Sequence, residues 1–139
     1  MNLLTSTEMR DIERAADSAG LSYATMLRNA GSAVAAEIWN RLPSEAAAVE
    51  VLILCGSGNN GGDGLVCAAV LAERAQREKR ALTVQVYLLR TREPDDPLIP
   101  PLATAQIAVM TQPDDPGMRT LRAWLARADV IVDALLGTG

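Results

Sequence analysis

Near the start of the chain, apolar residues recur at the spacing of two amphipathic helices. The first set follows a capping-box sequence, Thr5-Ser6-Thr7-Glu8, and the second repeats every four residues after Ser22. The apolar positions are Met9, Ile12 and Ala16 in the first set, and Met26, Ala30, Val34 and Ile38 in the second. We expect the first helix to stop at Gly20 and the second to end before Pro43.

From Val49 to Cys55 the pattern changes to an almost continuous apolar run, which is typical of a parallel strand covered on both faces. A helical pattern follows over residues 61–78. Residues 82–89 then alternate polar and apolar positions, as a second strand does. This order of strand, helix and strand predicts a right-handed βαβ unit.

The rest of the chain repeats this alternation of elements. Four prolines fall within residues 90–101, which we expect to form a surface loop. A short helix and a short strand are expected through Met110, then a helix ending near Ala128 with Trp124 anchored in the core. Residues 129–136 are again β-branched and apolar. We predict an α/β fold with a mostly parallel sheet and N-terminal helices before the first strand.

A second glycine loop begins at Gly137 and runs through Thr138 to Gly139. By analogy with the first loop, described below, it should lead into a helix. Open sheets average about 5 to 6 strands, and fewer are predicted here. We therefore expect residues 1–139 to be the front, C-terminally incomplete part of a larger domain.

Composition narrows the function classes. The chain has 139 residues, 49% of them apolar, and a net charge of −4, so we expect one globular unit with no nucleic-acid or membrane partner. Histidine is absent, which excludes serine-type triads and histidine metal sites built from this chain alone. We expect a cytoplasmic protein in which Cys55 and Cys67 are buried thiols, although the two could in principle pair.

The most informative segment, residues 56–64, reads Gly-Ser-Gly-Asn-Asn-Gly-Gly-Asp-Gly and holds five of the ten glycines. We call it the first glycine loop. Directly after a strand, its glycines permit positive φ angles and close approach of a ligand, and the next helix presents N–H groups to an anion. Gly56-x-Gly58-x-x-Gly61 also satisfies the dinucleotide fingerprint. The predicted ligand is a nucleotide.

Two other nucleotide sites fit this loop less well. A Walker loop is excluded because its closing lysine and hydroxyl are missing. A NAD-dependent dehydrogenase would place an acidic residue at the end of the second strand, where this chain has Leu89, Arg90 and Arg92. The two arginines could bind a 2′-phosphate or be solvated loop residues.

Polar side chains add chemistry to the loop. Asn59, Asn60 and Asp63 bring two amides and a carboxylate, although such residues also serve turn geometry. Asp133 is expected near the carboxyl end of a buried strand, where a carboxylate needs a partner. If that strand adjoins the first one, Asp133 and Asn60 could present hard oxygen ligands to a weakly held monovalent cation.

Four segments together resemble the NAD(P)H-hydrate epimerase family, also called the YjeF N-terminal domain. The resemblance runs nearly end to end. Its segments are residues 6–13, Met26-Leu27-Arg28-Asn29-Ala30-Gly31, the first glycine loop and Val132-Asp133-Ala134-Leu135-Leu136-Gly137-Thr138-Gly139. Asn29 and Gly31 in the second segment are open as ligand-side or packing residues.

The resemblance implies a Rossmann-like three-layer αβα domain that interconverts the R and S forms of NADH or NADPH hydrated at C6 of the nicotinamide ring. It implies a potassium ion held by Asn60 and Asp133. Asp63 is the one loop carboxylate that could be catalytic, but substrate binding is its preferred role, and further acid/base residues are expected beyond residue 139. Substrate contacts are implied at Asn59, Asn60, Gly61, Gly62, Asp63, Gly137, Thr138 and Gly139.

Partners and alternative functions stay open at this point. A homodimer and a fused or separate dehydratase are compatible with the family. A domain without turnover would be a catalytically silent nucleotide-binding or interaction module, whereas a dehydrogenase nucleotide domain would transfer hydride. The Asn59-Asn60 pair and the missing acidic ribose anchor disfavour the dehydrogenase.

Overall fold

A computed structural model describes residues 4–42 and 48–137. Two helices precede the first strand, as predicted, and four strands then alternate with helices. The elements are α1 (Ser6–Ser18), α2 (Tyr23–Arg41), β1 (Val49–Cys55), α3 (Asn59–Glu78), β2 (Leu82–Leu88), α4 (Ile99–Thr104), β3 (Ala108–Thr111), a 3₁₀ turn (Gln112–Asp114), α5 (Arg119–Leu125) and β4 (Val130–Ala134). Within the described residues, no helix has the length and apolar character that a membrane crossing requires.

The four strands form one parallel sheet in the order β3-β2-β1-β4. β1 lies inside the sheet, where Val51 pairs with Val84 of β2 on one side and with Val130 of β4 on the other. β4 therefore adjoins the first strand, which the cation hypothesis required. The sheet and its flanking helices confirm the predicted Rossmann-like α/β class.

Local hydrogen bonds fix the starts of the first two helices where the sequence predicts them. Glu8 N donates to Thr5 Oγ1 at 3.3 Å and Thr5 N donates to Glu8 Oε2 at 2.7 Å, which completes the capping box. Thr25 N donates to Ser22 Oγ at 3.2 Å at the start of α2. Gly20, with φ of 99°, lies between the helices. Pro43, the predicted stop of α2, lies outside the described residues.

α3 supplies much of the core. Its Leu65 and Leu71 are at most 1% exposed and belong to one apolar cluster with Val51 and Ile53 of β1. Burial of such side chains stabilises the fold by roughly 1.5–3 kcal/mol each. α3 therefore covers one face of the sheet and fixes the position of the loop at its own N-terminus.

α2 packs against α3, and Gly31 lies at their crossing. A Cβ on Gly31 would lie 2.6 Å from Asp63 O and 2.6 Å from Val66 Cβ. Only a glycine allows this approach. Of the two alternatives left open for Gly31, the structure supports packing.

Three element boundaries or patterns differ from the predictions. α3 begins at Asn59 and not at residue 61, with Gly58 as its N-cap. The loop predicted over residues 90–101 ends at Leu98, because Pro100 and Pro101 lie in the first turn of α4, where a missing N–H is tolerated. β2 is buried continuously over residues 84–88, since it lies between two strands and both of its faces are covered.

The strand predicted within residues 129–136 is present as β4, but the expectation that it is buried is wrong. Among the described residues β4 is the outermost strand of the sheet, where Ile131 is 50% exposed and Ala134 is 4% exposed. With a described neighbour on one side only, its apolar side chains are incompletely covered. Trp124 of α5 is likewise half-buried, although its ring packs edge-on against buried Tyr87 with centroids 6.5 Å apart.

Cys55 and Cys67 are buried and unpaired, as expected. Burial raises the pKa of each thiol to about 12. Because the thiolate is the reactive form, both side chains act as small apolar core residues at neutral pH.

Candidate functional site

The two glycine loops lie together because β1 and β4 are parallel neighbours. β1 ends at Cys55 and leads into the first glycine loop, and β4 ends at Ala134 and leads towards Gly137. Gly56 N donates to Ala134 O at 2.9 Å, so the two exits are tied to each other by the sheet ladder. In open α/β sheets, this carboxyl edge is where ligands bind.

Close backbone packing, and not positive φ, explains the glycines of the first loop. None of its five glycines has a positive φ, which corrects that part of the prediction. A Cβ on Gly56 would lie 1.9 Å from Leu135 O, and one on Gly61 would lie 2.0 Å from Gly56 O. One on Gly64 would lie 2.8 Å from Ala134 Cβ. The glycines therefore bring α3 against the ends of β1 and β4.

The first loop is mostly helix. Residues 59–64 form the first turns of α3, and only residues 56–58 connect the strand to it. Gly58, the N-cap, has no side chain to occupy the free N–H groups of the first turn. These N–H groups and the helix dipole favour an anion such as a nucleotide phosphate.

Asn60 connects the two loops. Its Nδ2 donates to Leu136 O at 2.9 Å, and a Cβ on Gly137 would lie 3.2 Å from Asn60 Cβ. The structure thus brings Asn60 and Gly137, two of the predicted substrate contacts, close together. Thr138 and Gly139, the other predicted contacts of the second loop, lie outside the described residues.

Asp133 is exposed, which corrects the expectation that it needs a partner because it is buried. Its Oδ1 accepts a hydrogen bond from Leu135 N at 3.0 Å and so shapes the exit from β4. Ala134 faces α3, and side chains alternate along a strand, so Asp133 projects from the other face of the sheet. Asn60 contacts the second loop through Leu136 O. The binding of one cation by Asn60 and Asp133 together stays a prediction.

Asp63 lies one turn after Asn59, and both side chains line a cavity between α3 and the N-terminal helices. Burial raises the pKa of the Asp63 carboxyl, and the nearby Glu13 carboxylate of α1 raises it further. A raised pKa makes a carboxylate a better proton acceptor. The candidate catalytic residue thus has a perturbed environment, as a general base would.

This cavity has a volume of about 580 Å³ and is lined mainly by apolar side chains. α1 contributes Met9 and Ile12, α2 contributes Leu27, and the segment before α4 contributes Leu98. The volume lies within the range of roughly 300–1,000 Å³ that is usual for ligand pockets. We call it the α1–α2 cavity.

Arg92 and Asp96 form a nearly buried ion pair beside the first glycine loop. Their side chains are 15% and 12% exposed, and Arg92 Nε donates to Asp96 Oδ2. Burial opposes the charge on Asp96, but hydrogen bonds from Arg92 and Leu98 N outweigh it and lower the pKa of that carboxyl. Arg92 Nη1 also donates to Gly56 O at 3.4 Å. Arg92 therefore supports the loop and is not a solvated arginine.

Comparison with known proteins decides the family. The model of the YjeF-related protein N-terminus matches residues 23–139. The chain belongs to this family. The resemblance predicted from the four sequence segments is thereby confirmed.

Relatives within the YjeF-related family extend over most of this chain. It is 36% identical to the NAD(P)H-hydrate epimerase of Rhodobacter capsulatus, over 99% of this chain and 62% of that protein. It is 32% identical to the bifunctional NAD(P)H-hydrate repair enzyme Nnr of Pyrobaculum aerophilum, over 100% of this chain and 26% of that protein. The chain thus spans between a quarter and about two thirds of these relatives.

A solved structure supports the fold. The crystal structure of the yeast protein YNL200c superposes with a TM-score of 0.81 at 23% identity, covering 99% of this chain and 58% of the yeast chain. At this identity the likeness concerns the YjeF-related fold alone.

Sequence reasoning missed the α1–α2 cavity and the Arg92–Asp96 pair. Opposite charges four residues apart indicate a pair only within a helix, and residues 92–96 lie before α4, so no sequence pattern predicted the pair. The cavity had only a weak signal, the amphipathic pattern of α1, whose Met9 and Ile12 are 45% and 50% exposed in the structure. An apolar helix face that stays half open marks a surface available to a ligand.

Proposed function

We propose that this domain interconverts the R and S forms of NADH or NADPH hydrated at C6 of the nicotinamide ring. The observation that carries the proposal is the joined pair of loops at the sheet edge, where Asn60 on the first turn of α3 donates to Leu136 O. The relatives named NAD(P)H-hydrate epimerase and NAD(P)H-hydrate repair enzyme support the same reaction.

The phosphates of the substrate would bind at the free N–H groups that begin α3. Gly58, the N-cap, has no side chain, and a Cβ there would meet no heavy atom within 4 Å among the described residues, so a phosphate can approach the backbone there. Asn59 and Asn60 add amide groups that can bind the ribose or phosphate oxygens. This arrangement holds a dinucleotide with its charged centre at the positive end of the helix dipole.

Asp63 is our candidate for the chemical step. Epimerisation at C6 requires the hydroxyl to leave and return, or the ring to open and close, and positive charge develops on the ring nitrogen in the first route. A carboxylate beside the ring stabilises that charge or accepts the hydroxyl proton. The raised pKa of Asp63 suits proton acceptance.

We also propose that Asn60 and Asp133 hold a potassium ion, which would supply positive charge near the substrate phosphates. Their chemistry fits a monovalent cation, since one amide and one carboxylate give hard oxygen ligands. Asn60 Oδ1 and Asp133 Oδ2 have no hydrogen-bond partner within residues 4–42 and 48–137. The same residues contain no group of three or more acidic or cysteine side chains that could hold a metal ion, so a multi-carboxylate cage has no support there.

The unpaired, buried thiols of Cys55 and Cys67 suit a reducing compartment, and we propose a cytoplasmic location. A homodimer and a fused or separate dehydratase are compatible with the proposal, since the bifunctional relatives carry repair activity in longer chains.

The test is exchange between the two epimers of hydrated NADH, separated by chromatography, with potassium or sodium as the only alkali cation. We expect faster approach to the epimer equilibrium than without protein, and faster exchange in potassium. Asp63→Asn should slow exchange by about a hundredfold if Asp63 transfers a proton. Tight binding without exchange would favour the silent nucleotide-binding module, and reduction of an added carbonyl substrate would favour a dehydrogenase.

A further inference from the structure

The α1–α2 cavity extends away from the phosphate-binding end of α3. Asn59 and Asp63, four residues apart, lie on one face of α3 and form the border between the two. The opposite wall comes from α1 and α2, through side chains such as Ile12 and Leu27. A ligand held at the N-terminus of α3 can therefore extend into this cavity without leaving the protein surface.

The charges that line the cavity disfavour the binding of a phosphate group there. Its described lining residues include the carboxylates of Glu13, Asp63 and Asp96 and no lysine or arginine. Asp96 is neutralised by Arg92, but Glu13 and Asp63 leave a net negative wall. A phosphate would be repelled, whereas an uncharged ring that carries hydrogen-bond donors, or a ring that gains positive charge, is favoured.

The apolar part of the lining adds a second criterion. Met9, Ile12 and Leu27 offer aliphatic surface that suits the faces of a ring. At the border, the Asp63 carboxylate can accept from a carboxamide N–H or a ring hydroxyl, and the Asn59 amide can donate or accept. The hydrated nicotinamide ring has both groups and two apolar faces.

We propose that the α1–α2 cavity binds the hydrated nicotinamide ring, while the phosphates of the same molecule bind at the N-terminus of α3. This inference rests on the proposed function, and it adds the two N-terminal helices to the substrate site. It also explains why the apolar face of α1 stays half exposed: the ring covers it when substrate binds.

The experiment fills the cavity and compares two ligands. Ala16→Trp on α1 and Ala24→Trp on α2 each place an indole among the lining residues, whereas Ala15→Trp adds the same group to exposed α1 surface outside the lining. Dissociation constants are measured by calorimetry for hydrated NADH and for ADP-ribose, which lacks the nicotinamide ring. Urea unfolding and size-exclusion mass measurement accompany each variant.

We expect both cavity variants to weaken the binding of hydrated NADH at least about tenfold, which corresponds to about 1.4 kcal/mol, and to leave the binding of ADP-ribose unchanged. Ala15→Trp should leave the dissociation constants of both ligands unchanged. Equal weakening of the two ligands would overturn the inference, and so would unchanged binding of hydrated NADH. If the unmodified protein has the mass of a dimer, a monomeric mass in the cavity variants with normal binding of hydrated NADH would also overturn it, because the cavity would then be an interface between copies.

The epimer exchange of the unmodified protein separates this inference from the proposed function. If the unmodified protein exchanges epimers but the tryptophan variants bind hydrated NADH normally, the ring lies elsewhere and only this inference fails. If the unmodified protein does not exchange epimers, the proposed function fails, whatever the variants show.

Discussion

The two glycine loops follow neighbouring parallel strands, yet their surroundings differ. In the first, Gly61, Gly62 and Gly64 are buried between β1, β4 and α2. On the way to the second, Leu136 is 86% exposed. The first follows an inner strand and is covered by helices, whereas the second follows the outermost strand among the described residues. Similar glycine-rich sequences after parallel strands can therefore differ in how closely the described elements pack on them.

The largest effect is expected where the first loop is tightest. Gly61→Ala would place a Cβ 2.0 Å from Gly56 O, a backbone atom that cannot rotate away. Overpacking commonly destabilises a protein by about 1–3 kcal/mol, and we expect this clash to cost more than that. The higher helix propensity of alanine offsets about 1 kcal/mol of the cost. We expect a net loss of about 3 kcal/mol in the free energy of unfolding by urea.

Gly58→Ala is the matched control for that prediction, because a Cβ there has no heavy atom within 4 Å among the described residues. Its loss should stay below about 1 kcal/mol. Gly62→Ala should fall between the two, since the atoms it meets first are Leu27 Cδ1 at 2.8 Å and Leu98 Cδ1 at 3.3 Å, both on flexible side chains. Equal losses at positions 58 and 61 would contradict the close-packing account.

The second prediction concerns the support of the first loop. Arg92→Met removes the partner of nearly buried Asp96 and the donor to Gly56 O, and we expect a loss of about 2 kcal/mol. The pKa of Asp96 is lowered on folding, so the stability it contributes is present above pH 3.8 and is lost as pH falls through the folded value. The difference in unfolding free energy between Arg92→Met and the unmodified protein should therefore decrease as the pH falls through the folded pKa of Asp96.

Arg90→Met is the control for the ion pair, because Arg90 is exposed two residues earlier in the same segment. We expect it to change stability by less than about 0.5 kcal/mol. Thermal and urea unfolding at pH 7 and at pH 3 provide the measurement. A loss for Arg92→Met that is the same at both pH values would show that the ion pair is not its source.

Sequence patterns predicted the inner strands because their residues are apolar, and this pattern does not depend on the order of the strands in the sheet. They could not place β4 at the edge, since an apolar run reads the same whether one or two strands flank it. The burial of Arg92 was hidden for a similar reason: it depends on Gly56 O, 36 residues earlier in the chain. The closeness of Asn60 and Gly137 could be expected because each follows a parallel strand, whereas their roles as site residues are implied by the resemblance and stay predictions.

The role of the glycines shows a second limit of the sequence. A glycine run predicts either positive φ or close approach, and only coordinates distinguish the two. In the first loop the glycines serve close approach, as the contact of Gly56 with Leu135 shows. This contact joins segments that are far apart in the chain. Gly20 and Gly117, outside both loops, are the glycines in the described residues that adopt positive φ.

The third prediction uses the opposite sign of a pKa shift. The pKa of Asp63 is raised above 3.8 on folding, by burial and by Glu13, so the charged carboxylate destabilises the fold as pH rises through the folded value. Asp63→Asn should therefore be more stable than the unmodified protein at pH 7 and equally stable below pH 3.8. Glu13→Gln should shift stability in the same direction by less. A destabilised Asp63→Asn at pH 7 would contradict this sign.

The smallest stability effect is expected at the second loop, where Asp133→Ala removes one hydrogen bond from an exposed carboxylate. Asp129→Ala is matched to it: Asp129 is also exposed and accepts from one backbone N–H, that of Glu50, but at the opposite end of β4. Each should lose about 0.5–1.5 kcal/mol. If Asp133 binds potassium, only Asp133→Ala should abolish the tightening of hydrated NADH binding when sodium is replaced by potassium. An equal response in the two variants would remove Asp133 from the cation site, and the second loop would then differ from the first in function as well as in packing.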